Sequence, residues 1–391
     1  MEPAGGRGVP RTPAIADLIP DFAGLDPARM LKRLAVPLLL LLAAPVAPAL
    51  KYLIGAPPIW VFVTGAVAIA VLADWIRRAT DQLSSRAGPA IGGLLSVSFG
   101  SLSELILALF VLLDGKADVV RAQITGSILA TGLFGLGLAI VVGSIGREEQ
   151  HFKRERAGLL SSLLILVVIA LLLPAVFDFT GRAVIQKDGM GISDEHLSLG
   201  VSCVLLLLYA GNLVYTLITH RDVFASGEAE EPEHAWPLWL SIAALLGATA
   251  VIAVEAELVS GALEATAGTL GLSPLFLGVI VLAMIGTISD VFSAAWFARQ
   301  NRLGLVMSIC VGSAIQVALV LAPLLVIGSW LMGHPMTLVF GNPLELFAIA
   351  GTAFAVNAIA GDGQTTWFEG VLLLGVYLLL GIGFFFVAPP A

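Results

Sequence analysis

Apolar stretches of about twenty residues, the length that spans a bilayer as a helix, follow one another along almost the whole chain. Hydrophobic residues make up 58% of the 391 residues and charged residues only 12%. An average soluble domain has about a quarter charged residues, so the composition excludes a water-soluble globule. Because the stretches are continuous rather than alternating, they predict membrane helices and not a transmembrane β-barrel.

Eleven stretches are long enough to be membrane helices. We therefore predict an all-α polytopic membrane protein with about 11 transmembrane helices, over residues 34–50, 58–76, 88–112, 119–145, 158–177, 197–219, 236–261, 272–298, 303–331, 343–360 and 367–388. The first stretch ends in Ala47-Pro48-Ala49, which resembles a signal-peptidase site. The basic region before it is longer than in the usual signal peptide, so we favour a span.

Basic residues are divided unequally between the two sets of loops. If the N-terminus is cytoplasmic, the inner segments carry 15 Lys and Arg residues and the outer loops carry 5. Cytoplasmic loops are enriched in Lys and Arg, so we predict a cytoplasmic N-terminus and an external C-terminus. The basic inner loops suit a bacterial inner (plasma) membrane. The net charge of −8 argues against nucleic acid as a partner, which requires clustered Lys and Arg.

Two short motifs recur at one spacing. The segment Phe99-Gly100-Ser101-Leu102-Ser103-Glu104 recurs as Ile285-Gly286-Thr287-Ile288-Ser289-Asp290, and Thr125-Gly126-Ser127 recurs as Val311-Gly312-Ser313, each 186 residues later. A single offset for both motifs indicates an internal duplication. Because each half contains five helices, the two halves have opposite orientations, as in many secondary transporters with a midplane substrate site.

The duplication divides the chain into five parts. These are a cytoplasmic N-terminal tail (1–33), a leading helix and loop (34–57), the first five-helix repeat (58–219), an acidic cytoplasmic linker (220–235) and the second five-helix repeat (236–391). The simplest interpretation of the linker is a solvated loop, and cation sensing or regulation is the alternative. The sequence does not indicate an oligomeric state.

Glu104 and Asp290 are acids deep within predicted helices, at equivalent positions of the two repeats. An ionised group at bilayer depth costs at least a few kcal/mol, so such residues mark ion paths and proton relays. Two carboxylates at a repeat interface suit Ca²⁺, which takes several oxygen ligands in irregular geometry. Protons and metal would compete for the same oxygens, which is the simplest basis for exchange of a cation against H⁺.

Small and hydroxyl-bearing residues accompany both acids. Gly100 and Gly286 lie one helical turn before each acid, where glycine lets the backbone unwind or approach closely. Further oxygen ligands are predicted within the motifs and in the helices that follow them: Ser101, Ser103, Thr287, Ser289, Ser127, Thr131, Ser313 and Gln316. Packing of small residues between helices is the alternative explanation of the glycines and serines.

Other acids within the predicted helices are weaker candidates for the ion path. Glu255 and Glu257 lie two residues apart on one helix and cannot share a face. We therefore predict that one of them lines the path, and we favour Glu257. Asp74 and Asp81 flank Arg77 and its neighbouring arginine, so ion pairing at a helix end explains them.

Over residues 70–388 the chain resembles the cation/proton exchanger family, the Ca²⁺/H⁺ antiporters of the Ca²⁺:cation antiporter superfamily. The resemblance rests on Ala79-Thr80-Asp81, Gly88-Pro89, Gly92-Gly93-Leu94-Leu95, Phe99-Gly100, Glu104-Leu105-Ile106, Thr125-Gly126-Ser127-Ile128-Leu129, Val311-Gly312-Ser313, Ile315-Gln316, Pro335-Met336-Thr337-Leu338-Val339-Phe340, Asn357, Asp362-Gly363 and Glu369-Gly370. It implies one leading helix plus two inverted five-helix repeats. It also implies a secondary antiporter rather than an enzyme, without a cofactor, whose partners are the lipid bilayer, a cation and protons.

The resemblance also implies site residues. The family's two ion-binding acids fall on Glu104 and Asp290, its ninth-span glutamine falls on Gln316, and its seventh-span acid falls on Glu257.

The chain departs from the family pattern around the second acid and elsewhere. Ser101 and Thr287 replace the two motif asparagines, and Thr131 stands where the fourth span carries an asparagine. Asp290 is one methylene shorter than the family's glutamate, and Val291 replaces a histidine. Because these changes remove amide ligands, a monovalent cation (Na⁺ or K⁺)/H⁺ antiporter and a non-transporting family member remain alternatives to a Ca²⁺/H⁺ antiporter.

An intramembrane aspartyl hydrolase that uses Asp290 with Asp362 is the alternative from another class. General acid–base catalysis by two carboxylates requires both at one depth, whereas Asp362 is predicted in a cytoplasmic loop. The sequence contains no Gly-x-x-x-x-Gly-Lys-Ser/Thr loop, so a primary, ATP-driven pump is not supported.

Overall fold

The computed structural model describes residues 42–185, 191–216 and 236–387. The predicted tail (1–33), much of the leading helix (34–50) and the acidic linker (220–235) lie outside the described residues. Within the described residues, nine helices are long and apolar enough to cross a membrane. The predicted all-helical membrane class is therefore confirmed, and the predicted number of eleven is approximate.

The helices follow the chain in the predicted order. They are α1 (Val46–Ala49, continued by a π-helical segment, Leu50–Ile54), α2 (Pro58–Gly100), α3 (Leu102–Leu113), α4 (Ala117–Gly143), α5 (Arg154–Ile185), α6 (Gly191–Val214), α7 (Leu238–Leu270), α8 (Pro274–Arg299), α9 (Leu303–Leu331), α10 (Pro343–Ala360) and α11 (Trp367–Phe386). Two short antiparallel strands, β1 (Gln150–His151) and β2 (Gln364–Thr365), join the α4–α5 loop to the α10–α11 loop.

The predicted boundaries of the helices over 58–76 and 88–112 were wrong. Helical hydrogen bonding runs from Pro58 to Gly100, and the break comes at Ser101, where φ is −101° and ψ is 19°, in the bridge region of backbone conformations. The helix is nevertheless bent. A Cβ added to Gly92 would collide with the backbone oxygen of Ser84, eight residues earlier, and that contact shows the bend. In a straight α-helix eight residues rise about 12 Å, so α2 is bent near Gly92, and the predicted span 88–112 corresponds to the end of α2 together with α3.

The two repeats share a backbone irregularity at the offset found in the sequence. Wide π-helical segments interrupt α4 at Ala130–Gly135 and α9 at Val317–Leu321, and their last residues are 186 positions apart. Insertions of this kind often mark functional sites. The duplication therefore extends from the motifs to the conformation of the helices that carry them.

Contacts between loops agree with the alternation of the predicted spans. On the predicted cytoplasmic side, Arg147 Nη2 donates to the backbone oxygen of Arg299 at 3.2 Å, and the β1–β2 ribbon joins two further loops. On the predicted outer side, Arg121 Nη1 donates to the backbone oxygen of Thr337 at 3.2 Å. Loops predicted to share a side thus lie together.

Helices α4 and α9 form the centre of the bundle. In the most apolar part of α4, 83% of the residues are buried, and the value for α9 is 72%. In α6 it is 22%, so α4 and α9 are surrounded by other helices, whereas α6 lies at the outside of the bundle. At its crossing with α8, α4 presents Gly126 to the backbone oxygen of Val279 and to the methyl group of Ala283. A residue without a side chain is needed at that crossing.

Gly126 and Gly312 are equivalent in the sequence repeat but differ in packing, because nothing lies within 4 Å of a Cβ added to Gly312. We expect Gly126→Ala to lower the free energy of unfolding by about 1–3 kcal/mol, since overpacking forces the backbones apart. Gly312→Ala should change it by no more than about 0.5 kcal/mol. Equilibrium unfolding in mixed micelles measures both values, and equal losses in the two variants would contradict the close crossing of α4 and α8.

Candidate ion-binding site

The two motif acids lie at the interface between the repeats. Glu104 is in the first turn of α3, just after the break at Ser101, and its residue is 2% exposed. Asp290 lies within α8 and is half-buried, and its charge acts on Glu104. Like charges in a buried environment are costly unless a cation or a proton compensates them, so this pair of carboxylates is suited to hold one or the other.

Each motif glycine faces the opposite repeat. A Cβ added to Gly286 would lie 3.1 Å from Glu104 Oε1 and closer still to its Cγ. A Cβ added to Gly100 would lie 3.6 Å from Gln316 Oε1. Gly286 therefore permits the close approach of Glu104 to the motif of the other repeat, while Gln316 lies at ordinary contact distance from Gly100.

Each acid is hydrogen-bonded by its own serine. Ser127 Oγ donates to Glu104 Oε1 at 3.0 Å, and the side chain of Ser313 hydrogen-bonds Asp290. The two serines, like the two acids, are 186 residues apart. Within the described residues, the second oxygen of Glu104, Oε2, is buried without a hydrogen-bond partner. A buried polar atom is nearly always satisfied, so Oε2 is a position for a bound ion or a proton.

The predicted threonine ligands lie in or just after the motifs, and their hydroxyl groups donate to backbone oxygens of their own helices. Thr131 Oγ1 donates to the backbone oxygen of Ser127 at 2.8 Å, and Thr287 Oγ1 donates to that of Ala283 at 2.9 Å. Both threonines are buried, and each hydroxyl oxygen keeps acceptor capacity. Ser101 ends α2 and thereby positions the first turn of α3.

The structure separates the two candidate acids of α7, because the side chain of Glu257 is exposed, whereas Glu255 is fully buried. The reason is the rotation of α7, which buries Glu255 together with Leu258, Val259 and Ala262. Because Glu257 lies on the opposite face of the helix, it does not join the other predicted site residues.

Glu255 is thus the buried acid that the sequence analysis passed over. Both of its carboxylate oxygens lack a hydrogen-bond partner within the described residues. A Cβ added to Gly65 of α2 would lie 3.2 Å from Glu255 Oε2. The helical period could have identified this residue, since Ile252 and Val259 lie one turn before and after it on the same apolar face.

A guanidinium lies beside the second motif. Arg77 Nε donates to Ser289 Oγ at 3.3 Å, and its terminal nitrogens pair with Asp74 at 2.9 Å and Asp81 at 3.2 Å. The charge of Arg77 acts on Asp290. The predicted ion pairs at this helix end are therefore present, and one of their members also reaches the site.

The acid required by the hydrolase alternative is elsewhere. Asp362 is exposed in the turn between α10 and α11, whereas Asp290 lies within α8. Glu345, another acid near a helix end, forms a capping box with Asn342 and accepts a hydrogen bond from Thr125 at 3.3 Å. Asp362 is therefore not the partner of Asp290 that the hydrolase alternative requires.

In the described part of the chain, no group of three or more His, Cys, Asp or Glu residues could hold a metal ion. The available ligands at the repeat interface are two carboxylates with hydroxyl, amide and backbone oxygens. An all-oxygen set suits a hard cation such as Ca²⁺ and differs from the nitrogen and sulfur ligands of structural zinc. Water must complete the shell of any ion bound there.

Comparison with known proteins matches two long segments of the chain to one family. The sequence model of the family described as sodium/calcium exchanger protein matches residues 57–218 and 240–386. The chain is 38% identical over 342 residues to the Ca²⁺/H⁺ antiporter of Aphanothece halophytica, covering 83% of this chain and 90% of that protein. It is 38% identical over 335 residues to the Ca²⁺/H⁺ antiporter ChaA of Bacillus subtilis, covering 84% and 93%.

Solved structures resemble the whole bundle. The structure of native YfkE matches with a TM-score of 0.77 and 33% identity, covering 90% of this chain and 100% of that chain. The H⁺/Ca²⁺ exchanger CAX matches with a TM-score of 0.69 over 90% of this chain and 92% of that chain. Its 16% identity shows likeness of fold alone.

Arg77 and Arg78 provide a matched pair for testing charge at the site. Arg77→Gln removes a positive charge beside Asp290, and electrostatic repulsion of a divalent ion is twice that of a proton or a monovalent ion. We therefore expect Ca²⁺ to bind at least about threefold more tightly, as measured by titration calorimetry in detergent. Arg78 is 53% exposed and pairs with Asp74, so Arg78→Gln should stay within about twofold. Equal effects of the two variants would contradict the special position of Arg77.

Proposed function

The chain belongs to the sodium/calcium exchanger protein family, and we propose that it is a secondary antiporter that exchanges Ca²⁺ for H⁺ at the repeat interface. One observation carries the assignment of the site. Glu104 and Asp290, at equivalent positions of the two repeats, each take a hydrogen bond from a serine, and the charge of Asp290 acts on Glu104. The relatives named Ca²⁺/H⁺ antiporters match most of the chain.

Binding and release follow from the charge of the site. When Ca²⁺ is bound, its two positive charges compensate the two carboxylates, and when it leaves, protons on the same oxygens do so. A state with both carboxylates bare costs several kcal/mol in a medium of low dielectric constant. Because that state is avoided, the site changes sides of the membrane carrying either Ca²⁺ or protons, which couples the two fluxes.

The neighbouring side chains orient the carboxylates. Ser127 holds one oxygen of Glu104 and leaves Oε2 directed to the ion, while Ser313 does the same for Asp290. Gly286 lets Glu104 approach the second motif without a side chain between them. The amide of Gln316 and the hydroxyls of Thr131 and Thr287 supply weaker ligands, and water completes the shell.

The inverted repeats supply the conformational change. Transporters of this plan open alternately to the two sides by moving one group of helices against another around a fixed site. Here the break at Ser101 and the π-helical segments of α4 and α9 lie next to the site. These irregular segments are where the helices can bend as the site opens to one side or the other.

A monovalent cation/H⁺ antiporter is the second candidate function, and Arg77 is the observation that favours it. A fixed positive charge beside Asp290 opposes a divalent ion more than a monovalent one. Asp290 is also shorter than glutamate, and Ser101 and Thr287 offer no amide oxygen. The cation therefore has to be identified by direct comparison of ions.

The protein is an integral membrane protein by the nine apolar helices of its described part. We place it in a bacterial inner membrane with its N-terminus in the cytoplasm, because basic residues are concentrated in the loops on that side. Ca²⁺ and H⁺ are its transported ions, and the function proposed here requires no other cofactor.

Inside-out vesicles with a respiration-generated pH gradient test the function. We expect Ca²⁺ to dissipate the gradient more effectively than Na⁺, K⁺, Mg²⁺ or Mn²⁺. Glu104→Gln and Asp290→Asn should abolish the effect, since each removes a charge that both ions use. Glu264→Gln, which changes an exposed acid of α7, is the control and should retain exchange.

Three outcomes would revise the proposal. Exchange that persists in both site variants would contradict the site. Dissipation by Na⁺ or K⁺ alone would favour the monovalent antiporter. No response to any cation would favour the non-transporting alternative.

Glu255 and Glu257 are distinguished by the same vesicle assay. Glu255 is buried and faces α2, so we expect Glu255→Gln to slow Ca²⁺-dependent dissipation by about tenfold or more, a change of about 1.4 kcal/mol in barrier height. Glutamine preserves the side-chain volume, so packing is retained. Glu257→Gln should stay within about twofold of the wild-type rate, because an exposed position contributes little. A larger loss for Glu257→Gln would restore the sequence-based choice.

A further inference from the structure

A cavity of about 300 Å³ opens between the start of α5 and the turn that joins α8 to α9, on the predicted cytoplasmic side. Four basic side chains line it: His151, Lys153, Arg156 and Arg302. None of the described residues that line the cavity is acidic. A concentration of positive charge on the inner side is expected of any membrane protein, but here four basic side chains line one open cavity.

The first turn of α9 adds backbone donors to the same cavity. Leu303 and Gly304 line it, and the residue before them, Arg302, provides no side-chain cap for the helix. The first amide groups of a helix have no partner within the helix and carry the positive end of its dipole. The left-handed Asn301, with φ of 62°, turns the chain so that the helix begins at the cavity wall.

Both walls are fixed by secondary structure. On one side, His151 pairs with Gln364 in the β1–β2 ribbon, and the amide of Phe152 donates to Gly363 at 3.0 Å. On the other side, the amide of Arg302 donates to the backbone oxygen of Phe297 at 3.0 Å, and the guanidinium of Arg302 lies 5.4 Å from the centre of the Phe297 ring. The basic groups thus converge from anchored segments.

We propose that this cavity binds the phosphate group of an anionic ligand, at a site separate from the exchange site. Guanidinium and ammonium groups bind phosphate oxygens through charge-assisted hydrogen bonds, and uncapped helix N-termini bind them through backbone amides. A volume of about 300 Å³ equals that of about ten water molecules, enough for a phosphate with a short polar substituent. The phosphate has two possible sources, the headgroup of an anionic phospholipid and a soluble phosphate.

A ligand held here would join the two repeats. The α5 wall belongs to the first repeat, and the wall formed by the α8–α9 turn belongs to the second. Helix α8 carries Asp290 and α9 carries Ser313, so the bound anion would brace the half of the exchange site that those residues form. Occupancy would therefore raise the thermal stability of the whole bundle.

Thermal unfolding of the full-length protein in a zwitterionic detergent tests the proposal, with phosphatidylglycerol and inorganic phosphate as separate probes and phosphatidylcholine as the neutral control. The cavity variants are Lys153→Gln, at an exposed position that tolerates change, and the double variant Lys153→Gln/Arg156→Gln. The matched control for the single variant is Arg154→Gln, which removes one charge from an exposed neighbour outside the cavity lining.

Stabilisation by phosphatidylglycerol alone would support the site and identify the source as lipid, if the variants change it as expected. The half-saturating lipid concentration should rise about tenfold in the double variant and less than about twofold in Arg154→Gln. Stabilisation by inorganic phosphate with the same variant pattern would support the site and identify a soluble ligand. Lack of stabilisation by either probe, or equal losses in the cavity and control variants, would overturn the proposal. None of these results depends on which cation the protein transports.

Discussion

An uncompensated carboxylate inside a membrane protein costs several kcal/mol, and the inner structure of this protein depends on placing two of them at one interface. Ser127 and its counterpart Ser313 stabilise the ionised groups by hydrogen bonds. Gly286 lets the helix of one repeat come close to Glu104 of the other. We propose that the buried oxygen Oε2 of Glu104, which has no hydrogen-bond partner among the described residues, is the position for a transported ion. In this account the cost of bare charge is what couples cation movement to proton movement.

The duplication produces two half-sites that share a plan and differ in detail. Both have a glycine, an acid and a serine at one offset, and both are followed by a π-helical segment. The second half-site has the shorter acid, Asp290, which is half-buried and feels the charge of Arg77. Packing also differs, since Gly126 lies against a neighbouring backbone and Gly312 does not. The two half-sites therefore differ in the length and burial of the acid and in the packing around it.

The sequence predicted the helical bundle, the repeat and the two central acids. Hydropathy, a fixed offset between motifs and the cost of buried charge can all be recognised without knowing how the helices pack. The sequence placed a break between the predicted spans 58–76 and 88–112, whereas the helix continues to Gly100, because tertiary packing decides where a helix ends. It chose Glu257 over Glu255 because spacing alone does not fix the rotation of α7. The contact of Arg77 with Ser289, 212 residues away, has no signature in local sequence, and the basic cavity likewise arises only when loops from both repeats meet.

The central claim is that Ca²⁺ and protons use the same carboxylate oxygens. Proton release on addition of Ca²⁺ to the purified protein in weakly buffered detergent tests it most directly, with Ca²⁺ binding recorded in parallel. The account predicts that the wild-type protein releases protons in proportion to the Ca²⁺ it binds, and that Glu104→Gln and Asp290→Asn lose both signals together. Saturable binding of Ca²⁺ at the site without any release of protons would contradict it.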